Sequence, residues 1–190
     1  WTFVAADEHG DQDVAYVFAG GRSGETPKRL LAGTKGTLIV DGYSGYNVGA
    51  EVSSRKRAAC HAHLRRYFHE ALPTAPIAQE AIDLILGLYR VDHDAKSQEI
   101  TGTKKHLRIR RQRAGPIRDQ LHEWLLHQKP RHPPKSPIST AIRYALNQWR
   151  ELGRFLDDAR VPLDNNASER SLRRVALGRK NYLFVGDVEA

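Results

Sequence analysis

"TLIVD", residues 37–41, decides the fold. Four uncharged residues close on an aspartate, and Gly42 follows it. The run is too short for a helix and reads as a buried strand. Open α/β sheets bind their ligands beyond the C-terminal ends of strands. Asp41 stands at such an end, and Gly42 beside it would let backbone approach a ligand closely. The local alternative is that Asp-Gly only makes a turn, because that pair is a strong turn signal.

Working outward toward the N-terminus, "GTKG" (33–36) turns the chain into this strand. A short helix is expected around Pro27–Leu31, with Thr26 as N-cap and Pro27 at the first helical position. Earlier still, "WTFVA" (1–5) and "VAYVFA" (14–19) flank the polar "ADEHGDQD", a hairpin pattern. In the other direction, "RAACHAHLRRYFHEAL" (57–72) begins as a short strand and becomes a helix near His63. From about Ala75 to Gln128 the apolar residues recur every three and four. Ala78, Ala81, Ile82, Ile85, Leu88 and Tyr89 form one stripe, and Ala114, Ile117, Leu121, Trp124 and Leu125 another. "KPRHPPKSP" (129–137) interrupts the pattern. A third stripe, Ile142, Ala145, Leu146, Trp149, Leu152, Phe155 and Leu156, ends before Pro162. Strands gathered early with helices packed on them imply an α/β fold.

The chain has 190 residues, enough for one domain or one domain with an insertion. Hydrophobic residues are 40% and charged residues 27%, a soluble globular balance. No apolar run approaches the roughly 18 residues of a membrane helix, and the start has no secretory pattern. The single cysteine, Cys60, excludes an internal disulfide and fits a reducing compartment. A net charge of +8 and a pI near 9.8 favour a polyanionic partner, most commonly nucleic acid. The chain opens at Trp1 and contains no methionine, so a fragment of a longer protein is expected.

"LDNNASERSLRRVALGRKN" (163–181) puts one acid, Glu169, ahead of Arg170, Arg173, Arg174, Arg179 and Lys180. Two inexpensive readings exist. Asn166 and Glu169 have capping-box spacing, and Glu169 with Arg173 makes an i, i+4 pair. The functional reading joins Glu169 to Asp41. Clustered carboxylates hold Mg²⁺ or Mn²⁺ ions about 4 Å apart for two-metal phosphoryl transfer. A neighbouring basic surface would then bind the phosphodiester backbone.

"LIVDGYSGYN", "CHAHLRRYF" and "LDNNASERSLRRVALGRKNYLFVG" together resemble the insertion sequence 66 family of bacterial transposases, in order and over nearly the whole chain. The resemblance implies a DDE-type transposase with a ribonuclease-H-like mixed sheet. It makes Asp41 the second acid and Glu169 the third, with two Mg²⁺ or Mn²⁺ ions in the complete enzyme. It also implies that 1–63 is the first part of the core, 64–137 a basic helical insertion, and 138–190 the C-terminal helices of the core. His63, Asn165 and Asn166 become supporting residues. The implied partner is double-stranded DNA at the transposon ends, bound by a homo-oligomer, in a bacterial cytoplasm or at its nucleoid.

The departures from the family pattern matter as well. The family's first aspartate lies on a strand before the tryptophan, so that strand is expected to be missing here. Asp7, in the hairpin turn, is not its replacement. The chain alone is therefore expected to be inactive. "CHAH" (60–63) lacks the separated ligand pairs of a structural zinc site. "TKKHLRIRRQR" (103–113) carries Lys104, Lys105, Arg108, Arg110 and Arg111, which the transposase reading turns toward the DNA backbone. Two other functions fit the same residues: a DNA-binding remnant without chemistry, and a ribonuclease-H-like nuclease acting in repair or on RNA.

Overall fold

The computed structural model describes residues 2–6, 12–18, 20–21, 23–42, 46 and 55–181, with 6, 12 and 174–181 as backbone only. Asp7, and the "GYSGYN" that leaves the first-quoted strand apart from Gly42 and Tyr46, lie outside the described residues. The architecture is mixed α/β. The chain divides into two compact units, one of Trp1–Arg22 with Asn165–Ala190, the other of Ser23–Asp164.

In the first unit, β1 (Thr2–Ala6) and β2 (Gln12–Tyr16) form the expected hairpin. They pair antiparallel from Thr2 opposite Tyr16 to Ala6 opposite Gln12. The second strand lies earlier than the apolar run suggests: the described pairs run from Gln12 to Tyr16. Phe18 falls beyond the last pair and is 95% exposed. Helix α8 (Asn166–Asn181) packs against β1. The Tyr16 hydroxyl donates to the Ser171 carbonyl at 3.0 Å. Asn166 is already helical, so the N-cap position falls on Asn165 and the Asn166–Glu169 spacing is out of register for a capping box. The Asn165 carbonyl accepts the N–H groups of Ser168 and Glu169 at 3.0 and 3.3 Å.

The second unit opens with α1 (Glu25–Leu31), capped at Gly24 rather than Thr26. Pro27 sits within the first turn, where no intrahelical N–H bond is lost. Gly33 and Gly36, with φ of 72° and 105°, turn the chain into β3 (Thr37–Val40). β3 pairs in parallel with β4 (Lys56–Ala59), Val40 opposite Ala59. Of β3 only Val40 is fully buried. Among the described residues β3 bonds to β4 alone.

Helix α2 (His61–Ala71) starts directly after Cys60, earlier than expected. There follow α3 (Ala78–Ser97), α4 (Lys104–Ile109), a π-helical turn (Arg110–Ala114) and α5 (Gly115–Gln128). The π turn has a cause in the sequence. Pro116 has no N–H to give the carbonyl four residues back, and the Gly115 N–H reaches Arg110 five residues back. Thr103 caps α4 by accepting the His106 N–H. Ser136 does the same for Ser139 ahead of α6 (Pro137–Asn147).

The third apolar stripe is not one helix. At Gln148 the backbone leaves helical geometry (φ −107°, ψ 13°), and α7 (Trp149–Leu152) and a 3₁₀ turn at Arg154–Leu156 follow. The stripes of α2, α3, α5 and α6 close one core around Phe68, Ile85, Leu125 and Ile142, which also takes in Ala59 of β4. A second core of Leu88, Val91, Ala114, Phe155 and Leu163 fixes the segment after α7. Among the described residues no helix is long and apolar enough to cross a membrane.

Candidate functional site

Asp41 follows the last residue of β3 and is half-buried. A pocket of about 260 Å³ lies there, lined by Asp41, Gly42, His63, Arg66, Tyr67 and Tyr144. Helical spacing supplies half of this lining: His63, Arg66 and Tyr67 are i, i+3 and i+4 on α2 and share one face. Tyr144 comes from α6. Its ring stacks at a tilt on Tyr67, centroids 4.8 Å apart.

Gly42 answers the question raised by the Asp-Gly pair. Its φ lies outside the left-handed region, so turn geometry does not require glycine here. A Cβ at this position would stand 2.6 Å from Tyr144 Cε2. Glycine is needed so that the Tyr144 ring can lie against the backbone just after Asp41. Burial, then the neighbouring Cys60, Tyr67 and Asp41, hold the Tyr144 phenol above its usual pKa, so it stays neutral.

Elsewhere in the second unit, polar groups tie segments distant in sequence together. The His61 backbone N–H donates to the Leu163 carbonyl at 2.9 Å, and its Nδ1 lies 3.0 Å from the same oxygen. Nδ1 is therefore the protonated nitrogen. Burial lowers the His61 pKa to about 4, only partly opposed by that hydrogen bond and by Asp92 and Asp164. The Tyr89 hydroxyl donates to Asp164 Oδ2 at 2.9 Å. Burial first, and Asp164 second, raise the Tyr89 pKa.

The structure brings Asp41 and His63 to one pocket. Glu169, Arg170 and Arg173 are exposed on α8 in the first unit, and Asn165 and Asn166 are half-buried at its start. The side chains of Arg174, Arg179 and Lys180 lie outside the described residues. Lys104, Lys105, Arg108 and Arg111 are exposed along α4 and the π turn. Arg111 also donates Nε to the Leu156 carbonyl at 3.0 Å.

Arg110 corrects the reading of this basic run as uniformly DNA-facing. It is 1% exposed. Nε and Nη2 grip the Asp92 carboxylate at 2.8 and 2.6 Å. Nη1 reaches the carbonyls of Phe155, Ala159 and Val161 at 2.9–3.2 Å. His106 Nδ1 accepts the Gly102 N–H at 3.1 Å, so Nε2 carries the proton and donates to Asp92 Oδ1. Arg110 is thus a structural cation, spent within the fold.

Among the described residues no three His, Cys, Asp or Glu side chains gather as a metal cluster. Within "CHAH", Cys60 is buried, His61 faces Leu163, and His63 lines the pocket. Mg²⁺ asks for less, since it binds through one or two carboxylates with water and substrate phosphate oxygens completing its shell. Asp41, an oxygen donor at a pocket, fits that role.

Helical spacing from His63 could have pointed to Arg66 and Tyr67. No local signal could have found Tyr144 or the buried Asp92–Arg110–His106 group, which depend on contacts distant in sequence.

The second unit is thus an α/β protein with an acid, a cation and two tyrosines around the end of a parallel strand. The family model described as Transposase IS66 family matches residues 1–190, and the chain belongs to that family. It is 33% identical to the uncharacterized protein y4hP of Sinorhizobium fredii, over 98% of this chain and 37% of that protein. It is 36% identical to the uncharacterized protein y4jD of the same organism, over 93% of this chain and 35% of that protein. The chain therefore spans about a third of the length of these curated relatives. No solved structure matches it significantly.

Proposed function

We propose that the chain is the catalytic region of a DNA transposase, acting in metal-dependent hydrolysis and strand transfer of transposon ends. The observation that carries this reading is the half-buried Asp41 at the end of a parallel strand, beside a pocket that also holds a cation, in a chain of the IS66 family. Asp41 and Glu169 are the metal-binding acids. Mg²⁺ or Mn²⁺, when bound, activates the attacking water or 3′-hydroxyl and stabilises the leaving oxygen. The chain's own work is to aim its carboxylate oxygens, to hold the phosphodiester, and to bind flanking DNA through exposed lysines and arginines.

A ribonuclease-H-like core accounts for the order of hairpin, short helix, parallel pair and final helix. In that reading, 1–63 and 138–190 form the core and 64–137 is an insertion. The partners are double-stranded transposon ends and further copies of the protein. Asp41→Asn and Glu169→Gln, each made in the full-length protein, test the assignment: both abolish strand cleavage and transposition while leaving end binding intact. Transposition retained by either variant refutes the site. Binding without cleavage in the unaltered protein selects the DNA-binding remnant, and preferential cleavage of RNA selects the nuclease.

A further inference from the structure

Several arginines of the second unit are spent on structure. Arg57 reaches Gln148 and Glu151. Arg110 is buried on Asp92. Arg118 lies 4.2 Å over the Trp149 ring and donates to the Trp149 carbonyl at 3.0 Å. Arg66 is different. Among the described residues its one ion pair is with Glu70 on the same helix at 3.9 Å, and both side chains are more than half exposed. Such an exposed pair is weak and yields readily to a better anion. Yet Arg66 lines the pocket that contains Asp41. The wall around it is stiff, because Tyr144 is held between Tyr67 and the Gly42 backbone.

A site with a carboxylate and an available guanidinium suits a metal-bound phosphodiester. The carboxylate attracts the cation, and the guanidinium fork matches phosphate oxygens in a bidentate manner. We propose that Arg66 binds the phosphodiester that is cut, donating to its non-bridging oxygens from the α2 side of the Asp41 pocket. This rests on the reading of Asp41 as a catalytic acid. It adds a residue that touches substrate, and it gives the pocket a defined ligand, a DNA phosphate.

Arg65 supplies the control. It is also exposed on α2 but does not line the pocket, so Arg65→Gln removes the same charge one position away. In the full-length protein with duplex transposon ends and Mg²⁺, Arg66→Gln lowers strand cleavage at saturating DNA by about tenfold or more. Arg66→Lys recovers part of this loss, and Arg65→Gln stays within about twofold of the unaltered protein. A phosphorothioate at the scissile position slows the unaltered protein more than it slows Arg66→Gln, a difference that lost packing would not produce. Equal effects of Arg66→Gln and Arg65→Gln, or an unchanged phosphorothioate effect, overturn the proposal. Asp41→Asn is assayed in parallel. If it still cleaves, the reading of the site fails; if it is inactive while Arg66→Gln matches Arg65→Gln, only the role of Arg66 fails.

Discussion

Gly42 and Tyr144 show how one missing side chain shapes the Asp41 end of β3. Alanine at 42 would collide with Tyr144 Cε2, whose ring has little room to retreat from Tyr67. Gly42→Ala is expected to cost ~1–3 kcal/mol in a urea melt and to lower activity more than its stability loss explains, because the backbone beside Asp41 moves. Tyr144→Phe keeps the ring and should retain stability better than Tyr144→Ala. His61 makes a second residue-scale prediction. Its pKa is about 6.5 in the unfolded chain and about 4 when folded. Between those values the unfolded state binds the extra proton, so stability is complete above about pH 6.5 and falls as pH drops toward 4. The loss approaches ~3 kcal/mol from this group. Comparing urea melts at pH 7 and pH 4.5 for the unaltered chain and His61→Asn should show a smaller pH-dependent loss in the variant. An equal loss in both would assign acid sensitivity elsewhere.

At the scale of elements, the segment from Lys104 to Ala114 carries two functions on one stretch of helix. Lys104, Lys105 and Arg108 face water, while the π turn directs Arg110 into the fold. Truncating Arg110 would strand the Asp92 carboxylate and several carbonyls. Arg110→Ala is expected to destabilise the chain by about 3–5 kcal/mol, whereas Lys104→Ala stays within ~0.5 kcal/mol; chemical denaturation of the two variants decides it. The same segment marks what sequence reading can reach. The hairpin and the helical stripes were legible because their periodicity is local. The break at Gln148 and the inward course of Arg110 were not; Arg110 turns inward because carbonyls of Phe155, Ala159 and Val161, distant in sequence, receive it. In the candidate site, Asp41 stood out by its place on a strand. Tyr144 did not, since only the fold brings α6 to that strand end, whereas Arg66 follows from His63 by helical spacing.

At the scale of the whole molecule, a net charge of +8 gives the proposed DNA binding a signature that can be measured. Each phosphate neutralised contributes about −0.9 to the slope of log K against log salt. Replacing Lys104, Lys105, Arg108 and Arg111 together by glutamine should flatten that slope by about 2 to 4 units, with little change in sequence preference. Fluorescence anisotropy across a salt series measures it, and an unchanged slope would take this surface off the DNA path. The lone cysteine adds a consequence of another kind. Cys60 joins β4 to α2 and has no accessible surface. A chromogenic thiol reagent can therefore modify it only when that corner opens, so the colour-development rate acts as a clock for local breathing. With one thiol in the chain, every count comes from the same joint, and any ligand that quiets the pocket next to it should slow the clock.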